Sequence, residues 1–199
     1  MPEAEPAGRP LRADARRNRE LIIAAAESLF LRDGANASLE EIARRAGVGS
    51  ATLHRHFPSR KNLLETVYFD HVKELCDAAE SLAVDHCPAE ALIVWLQLVG
   101  ARATVNNGLA VAMAAEDDGA AGSLQSCHAM VAAAGTALLQ RAIDSDTVRP
   151  DIGIRDLLAL VNALARADSG HGSGDDNRLL MLALTGIMAA REAPRPRSG

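Results

Sequence analysis

The sequence predicts an all-α fold, and three observations lead to that prediction. Apolar residues recur at three- and four-residue spacing along most of the chain, without an alternating strand pattern of useful length. The composition is 48% hydrophobic with only 3% aromatic residues, which is typical of a helical protein rich in alanine and leucine. Glycine and proline lie mostly at the ends and between periodic segments, as in helical bundles. With 199 residues, one or two compact domains are expected.

Residues 1–13 are predicted to form a disordered basic arm. Prolines at positions 2, 6 and 10 disfavour a packed structure, and the polar start is not that of a signal peptide. Arg9 and Arg12 are placed to reach a DNA minor groove, with a simple solubilising tail as the alternative. A first helix is then expected over residues 14–33.

Two short amphipathic helices are expected to meet at a glycine-containing turn between residues 38 and 57. Ser38 is predicted to cap the first of them, with Glu41 three residues later, as in a capping box. Gly47 is predicted to end that helix in the left-handed conformation, which costs glycine little. The spacing therefore predicts a helix-turn-helix.

The second short helix has the pattern of a DNA recognition helix. Leu53 and Phe57 are four residues apart and are expected to point inward together. The remaining side chains of the helix would then lie outward or on its flanks, where a groove could receive them. These residues are Ser50, Ala51, Thr52, His54, Arg55 and His56.

Charge divides the chain into a basic head and an acidic body. Between Arg9 and Lys61 there are 11 Lys/Arg and 6 Asp/Glu residues, whereas from Phe69 to the end there are 10 and 17. Such a division directs a polyanion to one end of a protein. The alternative is that the charges only solvate helix faces, but together with the helix-turn-helix they favour nucleic-acid binding.

The later helices are predicted from the turn residues that separate them. A fourth helix is expected from Arg60 to about Val84, long enough to connect the head with the body. The next is expected to run from Pro88 to a turn at Asn106-Asn107-Gly108. Further helices are predicted over 109–115, 124–143, 154–167 and 176–191, with a loop at 120–123, which gives about nine helices in total.

Residues 14–68 resemble the DNA-binding domain of the TetR family of transcriptional regulators. The resemblance covers more than a quarter of the chain and rests on three segments: Ile42-Ala43-x-x-Ala46-Gly47-Val48, Thr52-Leu53-x-x-His56-Phe57 and Lys61-x-Leu63-Leu64. It implies a DNA-binding domain over 14–62 and a helical effector-binding and dimerisation domain over 63–192, followed by a disordered tail over 193–199.

The resemblance also implies roles for individual residues at the DNA. Arg55, Thr52 and His56 would meet base edges. Phosphates would be held by Ser38, His54, Arg60 and Lys61. Ser50 and Ala51 complete the set of predicted DNA-binding residues. His54 stands where the family usually has tyrosine, and Arg60 stands where lysine is commoner; arginine binds phosphate at least as well.

The middle helices offer the candidate residues for an effector. Flexible methionines and one large aromatic side chain among many small alanines suit a modest, mainly apolar ligand. The candidates are Trp95, Met113, Cys127, His128 and Met130. The alternative is that these side chains fill the core.

The last predicted helix is apolar on nearly every side between Leu179 and Met188, so it must be buried on several sides. In the TetR family the final two helices of each subunit build a four-helix dimer interface. The alternative is that this helix forms the core of a monomer. A homodimer is expected, because one recognition helix reads only a few base pairs.

Other classes of protein have weaker support in the sequence. The three cysteines lack paired spacing, which fits a reducing cytoplasm and neither a disulfide framework nor a zinc site. No GxSxG motif indicates nucleophilic catalysis, and the longest apolar run is far below the roughly 18 residues of a membrane span. No catalytic residue, metal or cofactor is therefore predicted.

The sequence thus predicts a cytoplasmic, ligand-responsive repressor, not an enzyme. It would bind a palindromic operator of double-stranded DNA as a homodimer and be released by a small molecule of unknown identity. The competing hypothesis is an enzyme or metal-binding helical protein that carries a helix-turn-helix.

Overall fold

A computed structural model of the chain describes residues 9–33, 37–116, 120–168 and 176–186. Within these ranges the chain forms eight α-helices and no β-strand, so the all-α prediction is confirmed. None of these helices is both long and apolar enough to cross a membrane. In chain order they are α1 Arg9–Asp33, α2 Leu39–Arg45, α3 Ser50–His56, α4 Arg60–Asp85, α5 Pro88–Glu116, α6 Ala120–Asp144, α7 Ile154–Asp168 and α8 Asp176–Thr185.

Helix α1 begins earlier than the sequence predicted. It starts at Arg9, so residues 9–13 of the predicted disordered arm are helical, and residues 1–8 lie outside the described ranges. Pro10 is compatible with this start, because the first turn of a helix needs no partner for the missing N–H and proline fixes a helical φ.

Helix α5 is continuous where the sequence predicted a turn. The Asn-Asn-Gly segment at 106–108 lies inside Pro88–Glu116, so the predicted turn and the separate helix over 109–115 are wrong. Leu109 and Met113 are buried just beyond this segment. Their burial outweighs the roughly 1 kcal/mol that a glycine costs within a helix.

The bounds of α6 and α8 also differ from prediction. Helix α6 begins at Ala120, so the predicted loop at 120–123 is wrong, since these residues extend the helix. Helix α8 begins at Asp176 as predicted and is described to Thr185. The remainder of its predicted length, and the predicted tail over 193–199, lie outside the described residues.

The chain divides into two compact units. Unit 1 comprises residues 1–71 and 105–124, and unit 2 comprises residues 72–104 and 125–199. Unit 1 therefore holds α1 to α3, α4 as far as His71, and the second part of α5. The predicted domain boundary at 62/63 falls inside unit 1, because the first turns of α4 bury Leu63, Leu64 and Val67.

Trp95 lies in the core of unit 2 and is fully buried. Its indole Nε1 donates a hydrogen bond to the carbonyl of Leu75 at 2.8 Å, so its polar atom is satisfied. Gly135 on α6 lies against the same ring. A Cβ atom built at Gly135 would be 2.6 Å from the side chains of both Trp95 and Ile154. The absence of a side chain at this position therefore permits the close approach.

We expect Gly135→Ala to destabilise the protein, because the added methyl group has no room beside the indole ring. Overpacking of this kind costs about 1–3 kcal/mol. For a chain of this size each kcal/mol lowers the melting temperature by about 2–4 °C. Thermal unfolding followed by circular dichroism measures the change.

Gly122→Ala is the matched control. Gly122 lies in the same helix, and a Cβ atom built there would have no neighbour within 4 Å. The melting temperature should stay the same or rise, because alanine is the better helix former by about 1 kcal/mol. Equal melting temperatures for the two variants would contradict the crowding at Gly135.

Candidate nucleic-acid interface

The N-terminus of α2 is capped as the sequence predicted. The Ser38 Oγ accepts a hydrogen bond from the Glu41 N–H at 3.4 Å and donates one to the Glu40 carboxylate at 2.6 Å. The Glu41 carboxylate instead pairs with the Arg44 guanidinium, at 2.6 and 2.7 Å. That pairing holds the pKa of Glu41 below its ordinary value. The serine half of the capping box is thus present, while Glu41 serves an ion pair.

The turn between α2 and α3 is closed by backbone hydrogen bonds around a left-handed glycine. Gly47 has φ +69° and donates its N–H to the carbonyl of Arg44 at 3.2 Å. Val48 donates to the carbonyl of Ala43 at 3.0 Å. This is the Schellman arrangement, in which glycine avoids the strain that a side chain would meet. The predicted role of Gly47 is confirmed.

Helix α3 is anchored to unit 1 by its apolar side. Leu53 and Phe57 are both 1% exposed, as the sequence predicted. The guanidinium of Arg19, on α1, lies 5.5 Å from the centroid of the Phe57 ring. A cation over an aromatic face at this distance is attracted by the electrons of the ring. The contact also places a positive charge close to the end of α3.

The opposite side of α3 presents its polar residues outward. Ser50, Ala51, His54 and Arg55 are exposed, and Thr52 and His56 are half-buried. The Arg55 Nη2 donates a hydrogen bond to the Thr52 Oγ1 at 3.1 Å. Two residues that the sequence assigned to base edges are therefore in direct contact. Their contact with bases stays a prediction.

Glu40 is a charged residue beside α3 that sequence reasoning missed. The hydrogen bond from Ser38, its own backbone N–H and the nearby His54 together hold the pKa of this carboxyl below its ordinary value. A carboxylate repels phosphates but can accept a hydrogen bond from the amino group of cytosine. Arg19 was missed as well, because its contact with Phe57 joins residues far apart in sequence. No spacing pattern in the sequence indicates that Glu40 lies beside α3 or that Arg19 contacts Phe57.

Arg60 holds parts of unit 1 together. Its Nη1 donates a hydrogen bond to the carbonyl of Ala37, and its guanidinium lies 5.7 Å from the centroid of the Phe30 ring on α1. The neighbouring Lys61 Nζ lies 4.0 Å from the Glu65 carboxylate. Arg60 therefore contributes to the packing of unit 1, and a contact with a phosphate would be a second role.

The candidate effector residues are distributed over the two units. Trp95 and Cys127 are buried in unit 2, where burial raises the pKa of the Cys127 thiol. Met113 is buried in unit 1. His128 and Met130 are exposed on α6. Throughout the part of the chain that the structure describes, no group of three or more His, Cys, Asp or Glu residues is placed to hold a metal ion.

Comparisons with known proteins agree with this geometry. Residues 22–67 match the family model described as bacterial regulatory proteins, tetR family. Residues 87–189 match the model of the C-terminal domain of SbtR-like transcriptional regulators. A TetR transcriptional regulator from Streptomyces coelicolor is 36% identical, with a TM-score of 0.72, over 86% of this chain and 99% of that chain. The chain belongs to the TetR family. It is therefore a DNA-binding transcriptional regulator.

Two further similar proteins differ in the share of the chain over which they match. A TetR transcription regulatory protein from Mycobacterium vanbaalenii is 31% identical with a TM-score of 0.73, over 90% of this chain and 99% of that chain. The HTH-type transcriptional repressor LfrR from Mycolicibacterium smegmatis is 44% identical over 63 residues, which is 32% of each chain. The match thus spans about a third of the length of this curated relative.

We expect Arg55→Ala to relax base preference at particular positions of the bound DNA. The loss of a base contact costs about 1–3 kcal/mol at the preferred sequence and less elsewhere. Binding to a set of single-base operator variants by fluorescence anisotropy measures the effect. Arg149→Ala is the control, because Arg149 is exposed in unit 2 and pairs there with Asp151 at 2.5 Å. A uniform loss across all sequences would remove Arg55 from base reading.

Proposed function

We propose that this TetR-family regulator is a cytoplasmic, homodimeric repressor that binds a palindromic operator and is released by a small molecule. The observation that carries the proposal is the outward side of α3, where Thr52 and Arg55 are bonded to each other opposite the buried Leu53. The likeness to LfrR, which is named a repressor, favours repression over activation. The three cysteines are free, which fits a reducing compartment.

The proposed contacts divide into those that read bases and those that hold phosphates. Arg55, Thr52 and His56 read base edges. The phosphate contacts fix the register of the protein on the duplex and carry no base information. They come from Ser38, His54, Arg60 and Lys61, and the position of Arg19 beside Phe57 adds a further cation. Ser50 and Ala51 are further residues of the proposed DNA-binding surface.

Dimerisation would use the outward side of α8. Leu182 is 61% exposed there, and Leu179 and Met181 are exposed beside it. Clustered apolar side chains on a surface mark an interaction site, and a two-fold dimer pairs such a patch with itself. Two α3 helices held in this way would meet two half-sites one helical turn apart.

Leu184 belongs to the helix that was predicted to form the dimer interface, but its own side chain is not part of that surface. It is fully buried within the core of unit 2. Leu184→Asp is therefore expected to unfold the protein by burying an unpaired carboxylate. Leu182 is the residue whose substitution separates assembly from folding.

Leu182→Asp is expected to give a folded monomer. Its operator affinity should fall toward the level of nonspecific DNA, which is commonly about 10³-fold or more weaker. Light scattering measures the mass and circular dichroism measures the fold. Val84→Asp is the control. Val84 is 84% exposed on α4, so the variant protein should remain dimeric. A dimeric Leu182→Asp protein would move the interface away from α8.

The effector would act on the middle helices, through some of Trp95, Met113, Cys127, His128 and Met130. Trp95 is the only tryptophan, so its emission reports on the packing of unit 2 without a label. An effector lowers operator affinity only by as much as it prefers the state that does not bind DNA. The typical coupling is about 1–3 kcal/mol.

Selection of bound fragments from a genomic DNA pool tests the proposal. We expect enrichment of one palindromic sequence, with the same result in the presence of a chelator. A metabolite screen on that operator should then find a compound that releases the DNA and shifts Trp95 emission. Enrichment without any releasing compound would indicate a repressor controlled by its own abundance. Failure to enrich any sequence, or binding that needs a metal, would favour the enzyme or metal-binding alternative.

A further inference from the structure

A buried histidine joins three helices within unit 1. His71, on α4, is 4% exposed, and it is the one buried polar or charged side chain among the residues whose burial the structure describes. Its Nδ1 lies 2.9 Å from the Oδ1 of Asn106 on α5. Its Nε2 lies 2.9 Å from the Oε1 of Glu27 on α1. These three residues are called the His71 clasp below.

The clasp lies where the chain passes from one unit to the other. His71 is the last residue of α4 that belongs to unit 1, and Asn106 follows directly after Val105, the first residue of α5 that belongs to unit 1. Glu27 lies on α1, which also carries the Arg19 contact to Phe57 at the end of α3. The clasp thus joins the helix that supports α3 to the two helices that continue into unit 2.

The partners of His71 define which way its hydrogen bond runs. Its Nδ1 lies within hydrogen-bonding distance of an amide oxygen, which can only accept, so Nδ1 is the donor. The Nε2 lies beside the Glu27 carboxylate without the geometry of a hydrogen bond, so α1 places a carboxylate next to the ring and α5 supplies the hydrogen-bond acceptor. Removal of one partner from a buried polar group leaves the other partner unsatisfied.

We propose that His71 is a positioning residue, which holds α1 and α5 on α4 and thereby sets the orientation in which α3 meets the operator. The inference rests on the proposed function, because orientation matters only if two recognition helices must fit two half-sites at once. The clasp affects specific binding, which needs correct spacing. It does not affect nonspecific binding, which depends on phosphate charge.

Glu27→Ala is the first test, because the Glu27 side chain is 38% exposed and its removal leaves the core intact. We expect operator affinity to fall by roughly 5- to 100-fold, the range of typical coupling between sites. Affinity for a random-sequence duplex of equal length should be the same as in the control. Glu20→Ala is that control, since it removes the same charge. Glu20 lies two turns earlier on α1, and its side chain is 68% exposed.

Substitutions at Asn106 test the direction of the hydrogen bond. Asn106→Leu should lose specific affinity as Glu27→Ala does. Asn106→Asp should retain it, because aspartate keeps an acceptor oxygen for the Nδ1–H of His71. Asn107→Leu is the matched control: the buried Nδ2 of Asn107 has no hydrogen-bond partner among the described residues. Circular dichroism establishes that each variant is folded, and if Asn106→Leu fails to fold, Glu27→Ala decides.

The inference is overturned if folded Glu27→Ala and Asn106→Leu keep the same ratio of operator to random-duplex affinity as Glu20→Ala and Asn107→Leu. It is also overturned if Asn106→Asp loses as much as Asn106→Leu, because His71 would then not donate to residue 106. A wild-type protein that prefers no DNA sequence overturns the proposed function and this inference together. A wild-type preference with unaffected variants overturns the inference alone.

Discussion

The left-handed turn at Gly47 is the constraint on which the interface depends. It ends α2 and turns the chain within two residues, so that Leu53 and Phe57 can reach the interior of unit 1. Because Leu53 within the seven-residue helix and Phe57 directly after it are both buried, the remaining side chains of α3 lie outward or on its flanks. The chemistry of α3 is therefore fixed by backbone geometry and burial before any contact with DNA is made.

The helix-turn-helix could be predicted from the sequence because its determinants are local. The Ser38 cap, the glycine turn and the four-residue spacing of Leu53 and Phe57 all lie within one short stretch. The turn predicted at 106–108 failed for the opposite reason. Its residues favour a turn locally, but burial of the residues around it keeps α5 helical.

Some contacts of the candidate site could not be predicted from the sequence, because they join segments that are far apart in the chain. Arg19 reaches Phe57, Arg60 reaches Ala37, and His71 joins Glu27 to Asn106, each across a long separation in sequence. Which apolar residues of α8 face the core and which face outward also depends on packing. Periodicity identified an apolar helix but did not separate Leu184 from Leu182.

The hydrogen bond between Thr52 and Arg55 has a consequence for how operator preference changes in evolution. The bond restrains the guanidinium in the free protein, so less side-chain entropy would be lost in the proposed contact of Arg55 with a base. The same bond makes the two positions interdependent, since neighbouring residues in contact do not contribute additively. A change at residue 52 alters the preferred direction of Arg55 as well as its own contact. With the proposed base contacts, divergence toward a new operator would therefore favour paired substitutions at 52 and 55, and a single change would give a weaker regulator of the old site.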